Sequence, residues 1–184
     1  HGRLTWRVVD IVVAAVLGVA IGLVFWAYNL TIANFWGPID ALLPGLAGLI
    51  AGVWFLGGPV GGLVIRKPGD ALLVELIAAT VSVLPGNKWG ITTLYSGFTQ
   101  GLGAEIVFAL FLYRRWTRSV AILSGVGAAL GAWVNEFILG NHAISATFNM
   151  VYLVCLMISG AVLAGLLGWV IMRALATTGA MGRF

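Results

Sequence analysis

Residues 66–105 read RKPGDALLVELIAATVSVLPGNKWGITTLYSGFTQGLGAE. A basic Pro-Gly break opens the stretch. An apolar run carrying Glu75 follows, then a second Pro-Gly break at Pro85-Gly86. An aromatic and small-residue run carrying Gln100 and Glu105 closes it. Apolar runs bounded by Pro-Gly breaks predict two helices joined by a turn, over 70–84 and 89–113. Three polar groups inside such helices need a reason to be there.

The rest of the chain sets their surroundings. Of 184 residues, 61% are hydrophobic and 9% are charged, with a mean hydropathy of +1.05. A soluble domain has about a quarter of its residues charged. This chain lacks the polar residues to cover a surface facing water, so the sequence predicts an all-α integral membrane protein. The apolar runs are too long for the short alternating strands of a barrel. The one cysteine, Cys155, lies in an apolar run and allows no internal disulfide. The net charge of +4 comes from small basic clusters between apolar runs. Clusters of that kind encode membrane topology and do not point to nucleic acid. The first apolar run is too long for the core of a cleavable signal peptide.

A single transmembrane domain over 1–184 is expected, with six helices at about 5–31, 40–65, 70–84, 89–113, 120–139 and 146–175. The second is expected to kink at 57–59, where Gly57-Gly58-Pro59 interrupts it. Residues 31–40 are read as a loop broken at Gly37-Pro38, with Asp40 at the N-terminus of the helix that follows. Asp10 lies one turn from Arg7 and predicts an ion pair at the start of the first helix. With six spans, nine of the ten basic residues fall on one side, and Lys88 alone falls on the other with Asp40, Glu136 and His142. The positive-inside rule makes the basic side cytoplasmic and puts both termini there. Small residues recur every four positions at Ala14/Gly18/Gly22, Gly48/Gly52, Gly97/Gly101, Gly127/Gly131 and Ala164/Gly168. Each pair predicts close helix packing.

Depth ranks the polar groups. At about 1.5 Å per residue, Gln100 lies about 15 Å below the outer start of its helix. Glu75 and Glu105 lie roughly 8–14 Å from the cytoplasmic ends of theirs. A carboxylate at such depth costs several kcal/mol or more unless it is paired, hydrated or protonated. Glu75 therefore either serves a ligand or bonds neighbouring backbone as a neutral acid. Gln100 either meets a ligand or ties two helices together. Glu105 anchors its helix near the cytoplasmic end or faces a ligand. Nearer the outside, aromatic and polar residues share one level: Asn29, Trp36, Trp89, Tyr95, Trp133, Asn135, Glu136 and Asn149. Each aromatic alone is an interface anchor. Together with amides and carboxylates they suit a flat, hydrogen-bonding heteroaromatic ligand, and a cationic one in particular. His142 has no partners for a metal site. The chain holds no HExxH, no GxSxG and no phosphate-binding Gly-Lys-Ser/Thr loop. Neither a catalytic residue nor a nucleotide site is expected.

RKPGDALLVELIAA at 66–79, NKWG at 87–90 and SGFTQGLGAEIVFALFLYRRW at 96–116 resemble the YkoE-type substrate-binding subunits, or S-components, of energy-coupling-factor (ECF) transporters. The GGPVGG break at 57–62 is similar as well. The resemblance implies a multi-pass subunit of the bacterial cytoplasmic membrane that captures thiamine or its hydroxymethylpyrimidine precursor from outside. It implies a transmembrane coupling subunit and two cytoplasmic ATPases as partners. Only those ATPases would use ATP, and the chain itself would hold no cofactor. Carried onto this sequence, it puts Glu75 and Gln100 on the pyrimidine edge. Trp36, Trp89, Trp133 and Tyr95 would stack, and Asn135 and Asn149, with Asn29 beside them, would complete the hydrogen bonds. The Ala14/Gly18/Gly22 stripe resembles the surface by which S-components dock on the coupling subunit. The alternatives are a structural or assembly membrane protein with no ligand, an S-component for a different small vitamin, and an intramembrane enzyme using Glu75 and Glu105.

Overall fold

The structure, a computed structural model, describes residues 3–87 and 89–183. Lys88, placed in the outer turn by the sequence, lies outside the described residues. Every regular element among the described residues is a helix: α1 (Val8–Leu30), α2 (Trp36–Leu42), α3 (Gly57–Ile65), α4 (Asp70–Val83), α5 (Thr92–Leu110), α6 (Arg118–Leu139), α7 (Ala146–Ser159) and α8 (Leu167–Thr177), with short 3-10 segments between some of them. A 3-10 run over Leu46–Phe55 leads into α3, and a π-helical stretch, Gly160–Leu166, joins α7 to α8. Among the described residues, four segments are long and apolar enough to cross a membrane: Val8–Leu30, Leu46–Ile65, Arg118–Leu139 and Ala146–Thr177.

α1 begins where the sequence puts its ion pair. The Asp10 carboxylate accepts from the Arg7 backbone N–H at 2.8 Å and from the Arg7 guanidinium at 3.1 Å. It therefore both caps the helix and neutralises the arginine.

The region 31–65 departs from the expected loop and kinked helix. Gly37-Pro38 does not break the chain; Pro38 is the third residue of α2. Gly57-Gly58-Pro59 does not kink a helix either; these residues are the first three of α3. A proline is tolerated in the first helical turn, because its missing N–H would have no intrahelical partner there. The break falls instead at Gly45, whose φ is +97°. A Cβ there would lie 2.9 Å from both Phe148 O and Tyr152 N, so the position needs glycine twice over. Asp40 does not sit at the N-terminus of its own helix. Its carboxylate accepts from the N–H groups of Gly45 and Ala47, at 3.1 and 3.0 Å, and caps the 3-10 run that follows.

A ten-residue 3-10 run is long for its kind. Neighbouring side chains hold it. Ser159 Oγ accepts from Gly52 N at 2.7 Å and donates to Leu49 O at 2.9 Å, and Tyr28 OH donates to Ile50 O at 2.5 Å. The greater rise, about 2.0 Å per residue against about 1.5 Å, lets the 3-10 run and α3 together reach roughly 33 Å. That matches the hydrocarbon thickness of about 30 Å.

α3 is the axle of the bundle, and all nine of its residues are buried. Its glycines admit the neighbours. A Cβ on Gly58 would lie 2.7 Å from Ala104 Cβ, and one on Gly62 would lie 2.2 Å from the Phe108 ring. The stripe Ala14/Gly18/Gly22 is spent inside the molecule as well. A Cβ on Gly18 would lie 2.4 Å from Ile77, and one on Gly22 would lie 2.6 Å from Val81, both on α4. This overturns the docking role that the resemblance gave it: the stripe is already covered by α4, and the outward face of α1 is the aliphatic one, with Val12, Val16 and Val19 exposed. α5 and α6 pack backbone to backbone, where a Cβ on Gly103 would meet Gly127 O at 2.1 Å and one on Gly131 would meet Thr99 O at 2.0 Å.

Candidate functional site

Antiparallel packing brings the C-terminal parts of α1, α4 and α6 to the same end of the bundle as the N-terminal part of α5. A cavity of 260 Å³ opens between them. Polar side chains reach it at helical spacing: Glu75 and Ser82 from α4, Thr92, Ser96 and Gln100 from α5, and Asn135 and Glu136 from α6. Glycines bring α4 and α5 close enough for these to meet. A Cβ on Gly97 would lie 2.6 Å from Ala79 Cβ, and one on Gly101 would lie 3.1 Å from Glu75 Cβ.

Glu75 stands at the inner wall and is 1% exposed. With its amide orientation assigned from its surroundings, Gln100 directs its nitrogen to two acceptors, Glu75 Oε2 at 3.3 Å and Trp54 O at 3.2 Å. No hydrogen bond of good geometry meets Glu75 Oε1 among the described residues, although the backbone N–H groups of Gly57 and Gly58 at the start of α3 lie close to the carboxyl. A buried carboxyl oxygen without such a bond is costly, and it lies on a cavity wall. Gly57 makes room for it, since a Cβ at that position would lie 2.9 Å from Oε1.

Three tryptophans line the cavity as well. Trp54 is central, with ring centroids 5.9 Å from Trp36 and 5.3 Å from Trp89. Its Nε1 donates to Asn29 Oδ1 at 2.8 Å, so Asn29 fixes the ring while lining the cavity itself. Asn135 donates to Ser96 Oγ at 3.3 Å, and Tyr152 OH donates to Glu136 Oε2 at 2.5 Å.

Of the residues proposed from sequence, Asn29, Trp36, Glu75, Trp89, Gln100 and Asn135 line this cavity. Tyr95, Trp133 and Asn149 do not. Tyr95 is 55% exposed. Trp133 stacks on Phe137 with centroids 5.1 Å apart and donates to Asn149 O at 3.0 Å. The Asn149 amide donates to Asn141 O at 2.8 Å and Ser145 O at 3.1 Å, fastening the turn before α7. His142 Nδ1 pairs with Phe137 O at 2.8 Å in the same turn. Trp54, Ser96 and Ser82 line the cavity without having been singled out. The spacing Thr92/Ser96/Gln100 was available as a signal, because it is one polar stripe on a helix.

Glu105 is structural. It reaches from α5 to the N-terminus of α4, accepting from Gly69 N at 3.0 Å and Leu72 N at 3.2 Å, and from Tyr113 OH at 2.6 Å. A carboxylate there meets unpaired N–H groups and the positive end of the helix. Replacing Glu105 with Ala is expected to cost about 3 kcal/mol, since it leaves those donors unpaired in a part-buried site. The midpoint of thermal unfolding in detergent should fall while affinity at the cavity holds. An unchanged midpoint would remove Glu105 from this role.

Comparison with known proteins gives three matches. The family described as "ABC-type cobalt transport system, permease component" matches residues 9–131. A Bacillus subtilis (strain 168) protein named "Putative HMP/thiamine permease protein YkoE" is 36% identical over 181 residues, covering 96% of this chain and 88% of that protein. A solved structure titled "Crystal structure of an S-component of ECF transporter" superimposes with a TM-score of 0.89 at 33% identity, covering 98% of this chain and 90% of that one.

Proposed function

This chain belongs to the YkoE-type S-components of ECF transporters, and from that premise we propose that it captures thiamine or its hydroxymethylpyrimidine precursor in the cavity between α1, α4, α5 and α6. The observation that carries the reading is Glu75 Oε1, a buried carboxyl oxygen on a cavity wall that no hydrogen bond of good geometry meets among the described residues. An aminopyrimidine supplies the missing donor through its amino group, and the Glu75–Gln100 pair offers it an acceptor beside an amide. Trp36, Trp54 and Trp89 give flat faces for the ring. Glu136 adds a second carboxylate, and carboxylates among indole faces favour the cationic thiazolium ring of thiamine.

The orientation follows from charge. Arg3, Arg7, Arg66, Lys67, Arg114, Arg115 and Arg118 belong to the segments at the end of the bundle away from the cavity. With that end cytoplasmic, the chain crosses the bacterial cytoplasmic membrane six times, both termini are inside, and the cavity opens outward. The coupling subunit and two ATPases that turn capture into import are partners on this reading, and the ATP is used by them. The chain itself performs no chemical step.

A cobalt cargo, suggested by the description of the matched family, is the second reading. It needs several His, Cys or carboxylate donors converging on one point. No group of three or more such residues that could hold a metal occurs among the described residues. The cavity chemistry therefore favours the organic ligand.

Titration of the purified protein tests the proposal. Thiamine or the free pyrimidine is expected to give saturable heat and to change the fluorescence of the three wall tryptophans. Neither signal with either compound would sink it.

A further inference from the structure

A second pocket lies at the opposite end of the bundle from the cavity and has a volume of 280 Å³. Arg3, Arg7, Arg66, Lys67, Trp116 and Met181 line it, with the aliphatic end of α3. Among the described residues, four cations and no carboxylate face the space. Asp10 stands beside it and offsets one of them, pairing with Arg7 at 3.1 Å. Asp70 and Glu105 are near in sequence or space, but their oxygens accept from backbone N–H groups of α4 and of the turn before it. An excess of positive charge in a concave, partly desolvated place is costly unless an anion shares it.

The cations are held in place. Arg66 ends α3 with φ +63°, a left-handed conformation that a side chain other than glycine's takes up only under constraint. Its Nε donates to Leu63 O at 2.8 Å, and its guanidinium lies 5.6 Å from the Trp116 ring centroid. No hydrogen-bond acceptor meets its two Nη atoms among the described residues. Burial lowers the pKa of this guanidinium from its usual value, so the charged form gains from a nearby anion. Lys67 is buried and donates to Arg3 O at 2.5 Å, which ties the N-terminal segment over the pocket. A planar guanidinium with free Nη groups suits a phosphate, whose oxygens accept two parallel bonds.

We propose that this pocket binds a phosphate group carried by an anionic phospholipid. The neighbouring surface favours a lipid as the carrier. Directly after Arg7, α1 turns Val8, Ile11 and Val12 outward, with Val8 78% exposed. Acyl chains lie along that face while the headgroup sits among the arginines. The site is distinct from the vitamin cavity and does not depend on what that cavity binds.

The test uses the full chain in neutral detergent. Thermal unfolding and native mass spectrometry are read with phosphatidylglycerol, phosphatidylcholine and inorganic phosphate in turn. Phosphatidylglycerol is expected to raise the midpoint and to stay bound, and the other two to do neither. Arg66→Gln is expected to weaken phosphatidylglycerol binding at least about fivefold. Should that variant not fold, Arg3→Gln, at an exposed residue whose guanidinium also donates to Tyr113 O and Leu112 O, reads the same loss. Titration at the vitamin cavity should be unchanged in both. Equal effects of the two lipids, or unchanged lipid affinity in the variants, would overturn the proposal. A full shift from inorganic phosphate alone would replace the lipid with a soluble anion. Loss of coupling-subunit co-purification in the variants without loss of lipid would assign the pocket to an acidic protein partner.

Discussion

Glu75→Gln is expected to weaken thiamine binding by roughly 100-fold, about 3 kcal/mol. The side chains are nearly the same shape, so packing around residue 75 is kept. What changes is chemistry. Glu75 offers one oxygen to the Gln100 amide and one to the cavity. A glutamine offers one oxygen and one N–H2, so either Gln100 or the ligand's amino group then faces a donor. The apo protein is expected to be at least as stable as before, because a buried acid with an unpaired oxygen is a burden on the fold. Weaker binding with an undiminished unfolding midpoint is the signature of a ligand group. Affinity preserved within about twofold would make Glu75 structural, and the proposal for this cavity would lose its main support.

The largest effect on folding is expected at Gly131. A Cβ there would lie 2.0 Å from Thr99 O, and α5 meets α6 again at Gly103 and Gly127. The obstructing atoms are backbone, which cannot swing aside as a side chain does. Gly131→Val must push the two helices apart by more than an ångström, at a cost of about 3 kcal/mol or more. Thr92, Ser96 and Gln100 ride on α5, so the cavity wall is lost with the contact. Little monodisperse protein should be recovered, and what is recovered should not bind. Gly37→Ala is the control, because a Cβ at Gly37 meets nothing within 4 Å among the described residues. A Gly131→Val protein with a normal unfolding midpoint would show that this contact is dispensable.

How far the sequence carries can be seen at particular residues. Pro68-Gly69 and Pro85-Gly86 flank α4, and the Arg114-Arg115 cluster follows α5; these are local signals and were legible. The 3-10 run over Leu46–Phe55 was not. Its hydropathy suits either helix, and the choice is made by Tyr28 and Ser159, which are remote in sequence. The stripe Ala14/Gly18/Gly22 announced a close contact but not its partner, which turned out to be α4. In the cavity, depth along the helix was readable and azimuth was not. Tyr95 precedes Ser96 by one residue and Trp133 precedes Asn135 by two, so each shares the level of the cavity but points to another face. Trp54 escaped notice because it stands in a run with no polar neighbour to mark it. Glu75 and Gln100 stood out because an apolar segment gives a polar group nowhere else to go.

The buried axle also bears on how the molecule is made. α3 touches α1, α4 and α5, and its Pro59 packs against Gly168 of α8, the last of the described α-helices to be synthesised. Its glycines offer lipid little to hold and are useful only when neighbours press against them. During synthesis the middle of the protein therefore stays unfinished until α8 arrives and closes it. A ribosome stalled after α7 would leave Pro59 and Val60 uncovered on that side, a ready mark for membrane quality control.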